Sequence, residues 1–192
     1  MNNLKWLPEE DEKKILSTIG EVPTFKARRD LTICTLGFMT GMRLSEICGL
    51  NIEDVRNTDR LYVRPETAKR KKGRIIPLNN SVRDTISSWL TLKEEKGEPV
   101  KGSSPLFMSR KNKRLSRRTL QDMFEYWCEQ AGFSNRRYSV HSMRHSFAKR
   151  LVQNGVHLAV VQKLLGHASL ASTGIYIEPG YEEMETAVQS RG

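Results

Sequence analysis

Apolar positions recur at helical spacing over most of the chain and alternate in one short central stretch. After Pro8, "EEDEKKILSTIG" opens with acids and closes at Gly20, the charge order and punctuation of a helix. "TFKARRDLTICTLGFMTG" (24–41) is apolar around most of its later circumference, which predicts a central helix ended by Gly41. A short helix follows through "RLSEICGL", with Leu44, Ile47 and Cys48 to pack and Arg43 at its mouth. The period then changes. "RLYVR" (60–64) alternates, "RIIPL" (74–78) carries β-branched residues before a proline, and a Lys-rich turn separates them. These predict an antiparallel sheet of two or three strands. Helical spacing returns at 81–95, at 116–132 with Leu120, Phe124, Trp127 and Cys128 on one stripe, at 140–155 and at 156–166. "PLFMS" reads as extended, and two further helices are expected after 166, one holding Tyr176. The pattern predicts one domain over 1–192, mainly α with a small antiparallel β-sheet (α+β).

Composition narrows the class. A 192-residue chain, 38% hydrophobic and 28% charged, suits a soluble globular domain. Its most apolar stretch is too short to span a bilayer, and the acidic N-terminus lacks a signal peptide's apolar segment, so a cytoplasmic protein is expected. Cys34, Cys48 and Cys128 are far apart without a CxxC pair and read as reduced core thiols.

Charge changes the picture more. With 32 Lys plus Arg against 22 acids the net charge is +10, a balance suited to a nucleic-acid partner. Two runs carry no acid. "AKRKKGR" holds Lys69, Arg70, Lys71, Lys72 and Arg74; "RKNKRLSRR" holds Arg110, Lys111, Lys113, Arg114, Arg117 and Arg118. Together they favour a phosphate-tracking surface over two unrelated solvated loops.

Three of the four histidines lie in suggestive places. His141 and Arg144 are three apart and share a helix face, with His145 on the same side. The His141–His145 spacing is that of a zinc helix, but Ser142 stands where a glutamate belongs and no third ligand is near. His157, at a helix start without a companion, reads as a hydrogen-bonded packing residue. Arg43 follows "MTGM" and either pairs with Glu46, one turn on, or faces a cleft. Two planar forks, Arg43 and Arg144, suffice to hold both non-bridging oxygens of a phosphodiester, a role otherwise given to a divalent metal.

These residues carry a resemblance. "TGMRLSEICGLNIEDV" resembles the arginine box of the tyrosine recombinase (phage integrase) family. "HSMRHSFAKRL" resembles its H-x-x-R box, with Met143 where leucine is more usual, and "LLGHASLASTGIY" its L-G-H…Tyr box. "AKRKKGRIIPL" is similar to the family's β-hairpin ending in proline. The matches run in family order over essentially the whole chain.

The resemblance implies the fold of the family's catalytic domain and a site-specific recombinase that cuts and rejoins double-stranded DNA. Tyr176 would be the nucleophile of a 3′-phosphotyrosyl intermediate, and Arg43 and Arg144 the phosphate clamp. His141 would help move the phenol proton, Lys69 would protonate the leaving 5′-oxygen, His167 would donate to a phosphate oxygen, and Glu46 would orient the arginine box. No metal, cofactor or ATP is implied. Tyr181 is the rival nucleophile, and Lys71 and Lys72 share Lys69's turn, where basic residues replace the family's glycine-rich sequence. The chain is expected to lack the family's N-terminal core-binding domain. Residues 180–192 are expected to dock on a neighbouring protomer, with self-association on DNA, four copies to a synapse. Two other readings stand: a DNA-binding accessory module without turnover, and type IB topoisomerase-like DNA relaxation.

Overall fold

The computed structural model describes residues 6–68, 72–109, 113–133, 138–167 and 189. Its helices are α1 (Glu9–Gly20), α2 (Phe25–Thr40), α3 (Leu44–Gly49), α4 (Asn80–Glu95), α5 (Arg117–Gln130), α6 (Val140–Gln153) and α7 (Leu158–Leu165), with a 3-10 turn at Ile52–Asp54. Strands β1 (Arg60–Val63) and β2 (Arg74–Pro77) form one antiparallel pair, with Leu61 opposite Ile76 and Val63 opposite Arg74. The mainly α class with a small sheet therefore holds, and among the described residues the sheet has two strands. "PLFMS" contributes only isolated bridges, Asn51 to Pro105 and Met108 to Arg114. The two helices expected after 166 lie outside the described residues, Gln189 apart.

Local chemistry sets the element ends. Thr24, Asn79 and Ser116 each accept a backbone N–H three residues on, capping α2, α4 and α5. His157 does the same for α7 through Nδ1, which accepts from the Ala159 N–H at 3.3 Å; it is an exposed cap rather than a packing residue.

α2 is the central element and packs against α1, α4 and α6. Ile33, Cys34, Leu36 and Phe38 are buried along it, as its apolar circumference predicts. Its one charged knot is Asp30, fully buried, where one oxygen accepts from Arg29 and the other from Trp127 Nε1 at 3.0 Å. A buried carboxylate without such donors would cost several kcal/mol. The stripe read in α5 is buried as expected: Leu120, Phe124, Trp127 and Cys128 all face this core. All three cysteines are free and buried, and burial raises the thiols of Cys48 and Cys128 to about 11 and about 12.

α6 approaches α2 closely because Gly37 has no side chain. A Cβ there would lie 2.7 Å from Met143 Sδ, so the methionine in the H-x-x-R box packs over that glycine. The start of the chain fastens α6 from its other side. The Leu7 N–H donates to Ser146 Oγ, Arg150 forks onto Glu12, and Tyr138 donates to Asp11.

Gly41 ends α2 in the left-handed region at φ 60°, and an added Cβ would meet Phe147 Cδ1 at 2.4 Å. Gly155 has a similar φ of 74° but open space around it. Gly41→Ala is expected to lose about 2–5 kcal/mol, backbone strain plus overpacking, and Gly155→Ala only the strain of about 1–2 kcal/mol. Denaturant melts of both variants check the order; equal losses would contradict it.

Candidate active site

The site is built where α7 ends. Gly166 takes the left-handed conformation, φ 63°, and turns the chain so that its own N–H reaches Lys163 O and the His167 N–H reaches Gln162 O. A helix leaves its last carbonyls without partners, and this turn satisfies only those two. The next three each accept from an arginine. Arg74 Nε donates to Leu164 O at 2.7 Å, Arg144 Nη2 to Leu165 O at 2.8 Å and Arg43 Nη2 to Gly166 O at 3.3 Å. Cations at a helix C-terminus also meet the negative end of its dipole.

Glu46 lies beneath them with its side chain fully buried. Its Oε1 accepts from Arg43 Nη1 at 3.0 Å and Arg74 Nη1 at 2.7 Å; its Oε2 accepts from Arg74 Nη2 at 2.8 Å and the Arg43 backbone N–H at 2.7 Å. The last bond places Glu46 at the third position of α3, reaching back to the residue that begins the helix. Burial pushes the Glu46 carboxyl up, but the Arg74 fork and the nearby Arg43 outweigh it and hold the group below its usual value. Arg144 is buried and also donates through Nη1 to Gly41 O at 2.6 Å, so the end of α2 and the end of α7 share it.

Three guanidinium groups and one carboxylate leave this cluster with an excess of two positive charges among the described residues. Such a concentration suits an anion. His167 stands in its field: burial first, then the charges of Arg144, Arg43, Arg74 and His145, push its imidazole down to about 4. It is therefore neutral near pH 7, able to donate one hydrogen bond without adding a charge.

Of the residues expected to act together, the structure brings Arg43, Glu46, Arg144 and His167 into this cluster. His141 is exposed on the first turn of α6, one turn before Arg144. Lys69 and Tyr176 lie outside the described residues, as do Arg70, Lys71, Arg110, Lys111, Tyr181 and the 180–188 part of the tail. Among the described residues no group of three His, Cys, Asp or Glu could hold a metal ion, and no helix is long and apolar enough to cross a membrane.

Within the two basic runs, Arg74 and Arg114 make internal hydrogen bonds. Arg74 turns its fork inward onto Glu46, and Arg114 donates to Cys48 O, Leu50 O and Asn51 Oδ1 at 3.1, 2.9 and 2.6 Å. Arg74 thereby serves a buried carboxylate, whereas Arg114 stays exposed while donating to two backbone carbonyls and one amide oxygen. Lys72, Lys113, Arg117 and Arg118 are exposed, Arg118 paired with Asp122. The inward turn of Arg74 had a sequence signal: it is two residues before Ile76, so strand alternation puts both on the buried face.

The His167 shift gives a pH test. The unfolded chain takes up its proton near pH 6.5 and the folded chain only near 4, so the unfolded state binds more protons between those values. The contribution of His167 to stability is present above about pH 6.5 and is lost as pH falls toward 4. NMR titration of its ring should show a midpoint near 4, moving upward when an anion occupies the cluster. A midpoint at 6.5 would remove the cationic surroundings from the description.

Comparisons with known proteins give the family of the chain. Tyrosine recombinase XerC of Thermodesulfovibrio yellowstonii is 34% identical over 175 residues, covering 90% of this chain and 57% of that protein. Tyrosine recombinase XerA of Pyrococcus furiosus is 34% identical over 188 residues, covering 96% and 61%. The chain thus spans between half and two thirds of the length of these curated relatives. Among solved structures, XerH site-specific recombinase bound to its difH substrate superposes with TM-score 0.80 at 27% identity, over 98% of this chain and 55% of that one. The catalytic domain of bacteriophage HP1 integrase shares the fold, TM-score 0.67 at 22% identity, over 96% and 93%. The phage integrase family matches residues 5–183, and the chain belongs to that family.

Proposed function

We propose that this chain is the catalytic part of a cytoplasmic site-specific recombinase. It cuts and rejoins double-stranded DNA through a covalent link to Tyr176, using neither metal nor ATP, and works as a self-associated complex on its DNA. The observation that carries the reading is the cationic cluster at the end of α7, where Arg43 and Arg144 flank a neutral His167. The XerH complex with its substrate supports DNA as the partner.

The chemistry follows from a phosphodiester placed at that cluster. The Tyr176 oxygen attacks phosphorus and forms a P–O bond while the bond to the 5′-oxygen breaks. The phenol, with an ordinary pKa near 10, needs a positive field and a route for its proton, which His141 supplies. The proton needed by the departing 5′-oxygen comes from Lys69. Negative charge grows on the non-bridging oxygens as phosphorus becomes five-coordinate. Fixed guanidinium groups then stabilise the transition state more than the ground state. Attack by a 5′-hydroxyl reverses each step and restores a phosphodiester, so the bond energy is kept.

The test is a nicked duplex that, after cutting, loses the short fragment carrying the new 5′-hydroxyl, which traps the covalent complex. The intact chain should give a DNA-linked band and Tyr176→Phe none; a band retained in that variant but lost in Tyr181→Phe would move the nucleophile. No band from the intact chain would favour a binding module. Arg144→Ala, checked for folding by circular dichroism, should slow cleavage by about two to three orders of magnitude, the usual loss of one transition-state donor. Exchange between two marked duplexes would then separate recombination from DNA relaxation.

A further inference from the structure

We infer that Arg74 is a positioning residue of this site: it fixes Glu46 and the end of α7, and through them the orientation of Arg43 and His167. The inference rests on the recombinase reading above. Arg74 makes three internal hydrogen bonds, two parallel ones to the Glu46 carboxylate and one from Nε to Leu164 O. Its side chain is 8% exposed, against 24% for Arg43. A fork turned inward in this way does not track the DNA backbone.

The coupling to Arg43 is direct. Each oxygen of Glu46 is shared between the two residues, one by both guanidinium groups and the other by the Arg74 fork and the Arg43 backbone N–H. Without Arg74 the buried carboxylate loses two of four donors, and Arg43 becomes the only described guanidinium left to neutralise it. Arg43 is then drawn toward Glu46 and away from a phosphate. The end of α7 loosens at the same time, because Leu164 O loses its donor and the Arg74 side chain no longer abuts Gly166. His167 is the next residue along. Lysine cannot stand in, since its single ammonium offers no planar fork to span both carboxylate oxygens and a carbonyl.

The experiment measures single-turnover formation of the covalent complex and DNA affinity across salt concentrations. It compares the intact chain with Arg74→Ala, Arg74→Lys, Arg43→Ala and the Arg43→Ala/Arg74→Ala double variant. Arg74→Ala should cut about 10²-fold more slowly, the cost of a misplaced catalytic group, with affinity and salt dependence within about twofold. Arg74→Lys should recover little, and the double variant should be no slower than Arg43→Ala, because the two residues act through one network. Weaker binding with a shallower salt dependence and an unchanged rate would overturn the inference in favour of a phosphate contact. So would losses that multiply in the double variant. A second measurement needs no activity: the NMR resonances of the Arg43 guanidinium should shift between the intact chain and Arg74→Lys, as Arg43 is drawn onto Glu46. Unchanged resonances in that variant count against the positioning role alone. An intact chain that forms no covalent complex counts against the nucleophile reading alone.

Discussion

Five consecutive carbonyls at the end of α7 have to find donors, and the way they do so organises the site. Two are met by the turn at Gly166, and three by arginines from β2, α6 and the start of α3. Those arginines come from positions 43, 74 and 144, so a single helix end draws together segments far apart in the chain. The arrangement has two consequences. The carbonyls and Glu46 take up part of the guanidinium hydrogen-bonding capacity and fix the groups in place. They do not cancel the charge, and the remaining excess is available to an anion that arrives already faced by rigid donors.

The helices around this junction exist to hold it still. α2 delivers Gly41, whose carbonyl takes one end of Arg144, and whose missing side chain leaves room for Phe147 and Leu165. Gly37 brings α6 close, and the contacts of Ser146, Arg150 and Tyr138 with residues 7–12 keep that helix from sliding. These ties are buried or charge-assisted, the kind that lose free energy steeply when one partner is removed. Rigidity matters because an arginine displaced by an ångström stabilises a transition state far less well.

The hydrophobic pattern made most of the architecture legible. The helix spans, the stripe in α5, the central place of α2 and the strand pair follow from spacing, caps and turn residues. Arg43, Glu46, Arg144 and His167 could be singled out because each sits beside a glycine turn or on a shared helix face. The internal contacts of Arg74 and Arg114 were not legible in the same way. A run of basic residues reads as a solvated surface, and only partners remote in sequence reveal that Arg74 faces inward and that Arg114, though exposed, is tied to backbone carbonyls. Glu46 and Leu164 are 28 and 90 residues from Arg74, beyond any local pattern.

What the sequence determined by itself is therefore local: which segments coil, which extend, where each helix stops, and which side chains carry usable chemistry. Those outcomes depend on interactions within a few residues, caps, period and backbone freedom. What the tertiary structure decided is which charges are matched and which are not. Arg74 became an internal tie, Arg43 and Arg144 became neighbours of one helix end, and the His167 imidazole was pushed down. Each outcome depends on burial and on the field of distant groups, and both arise only when the helices pack.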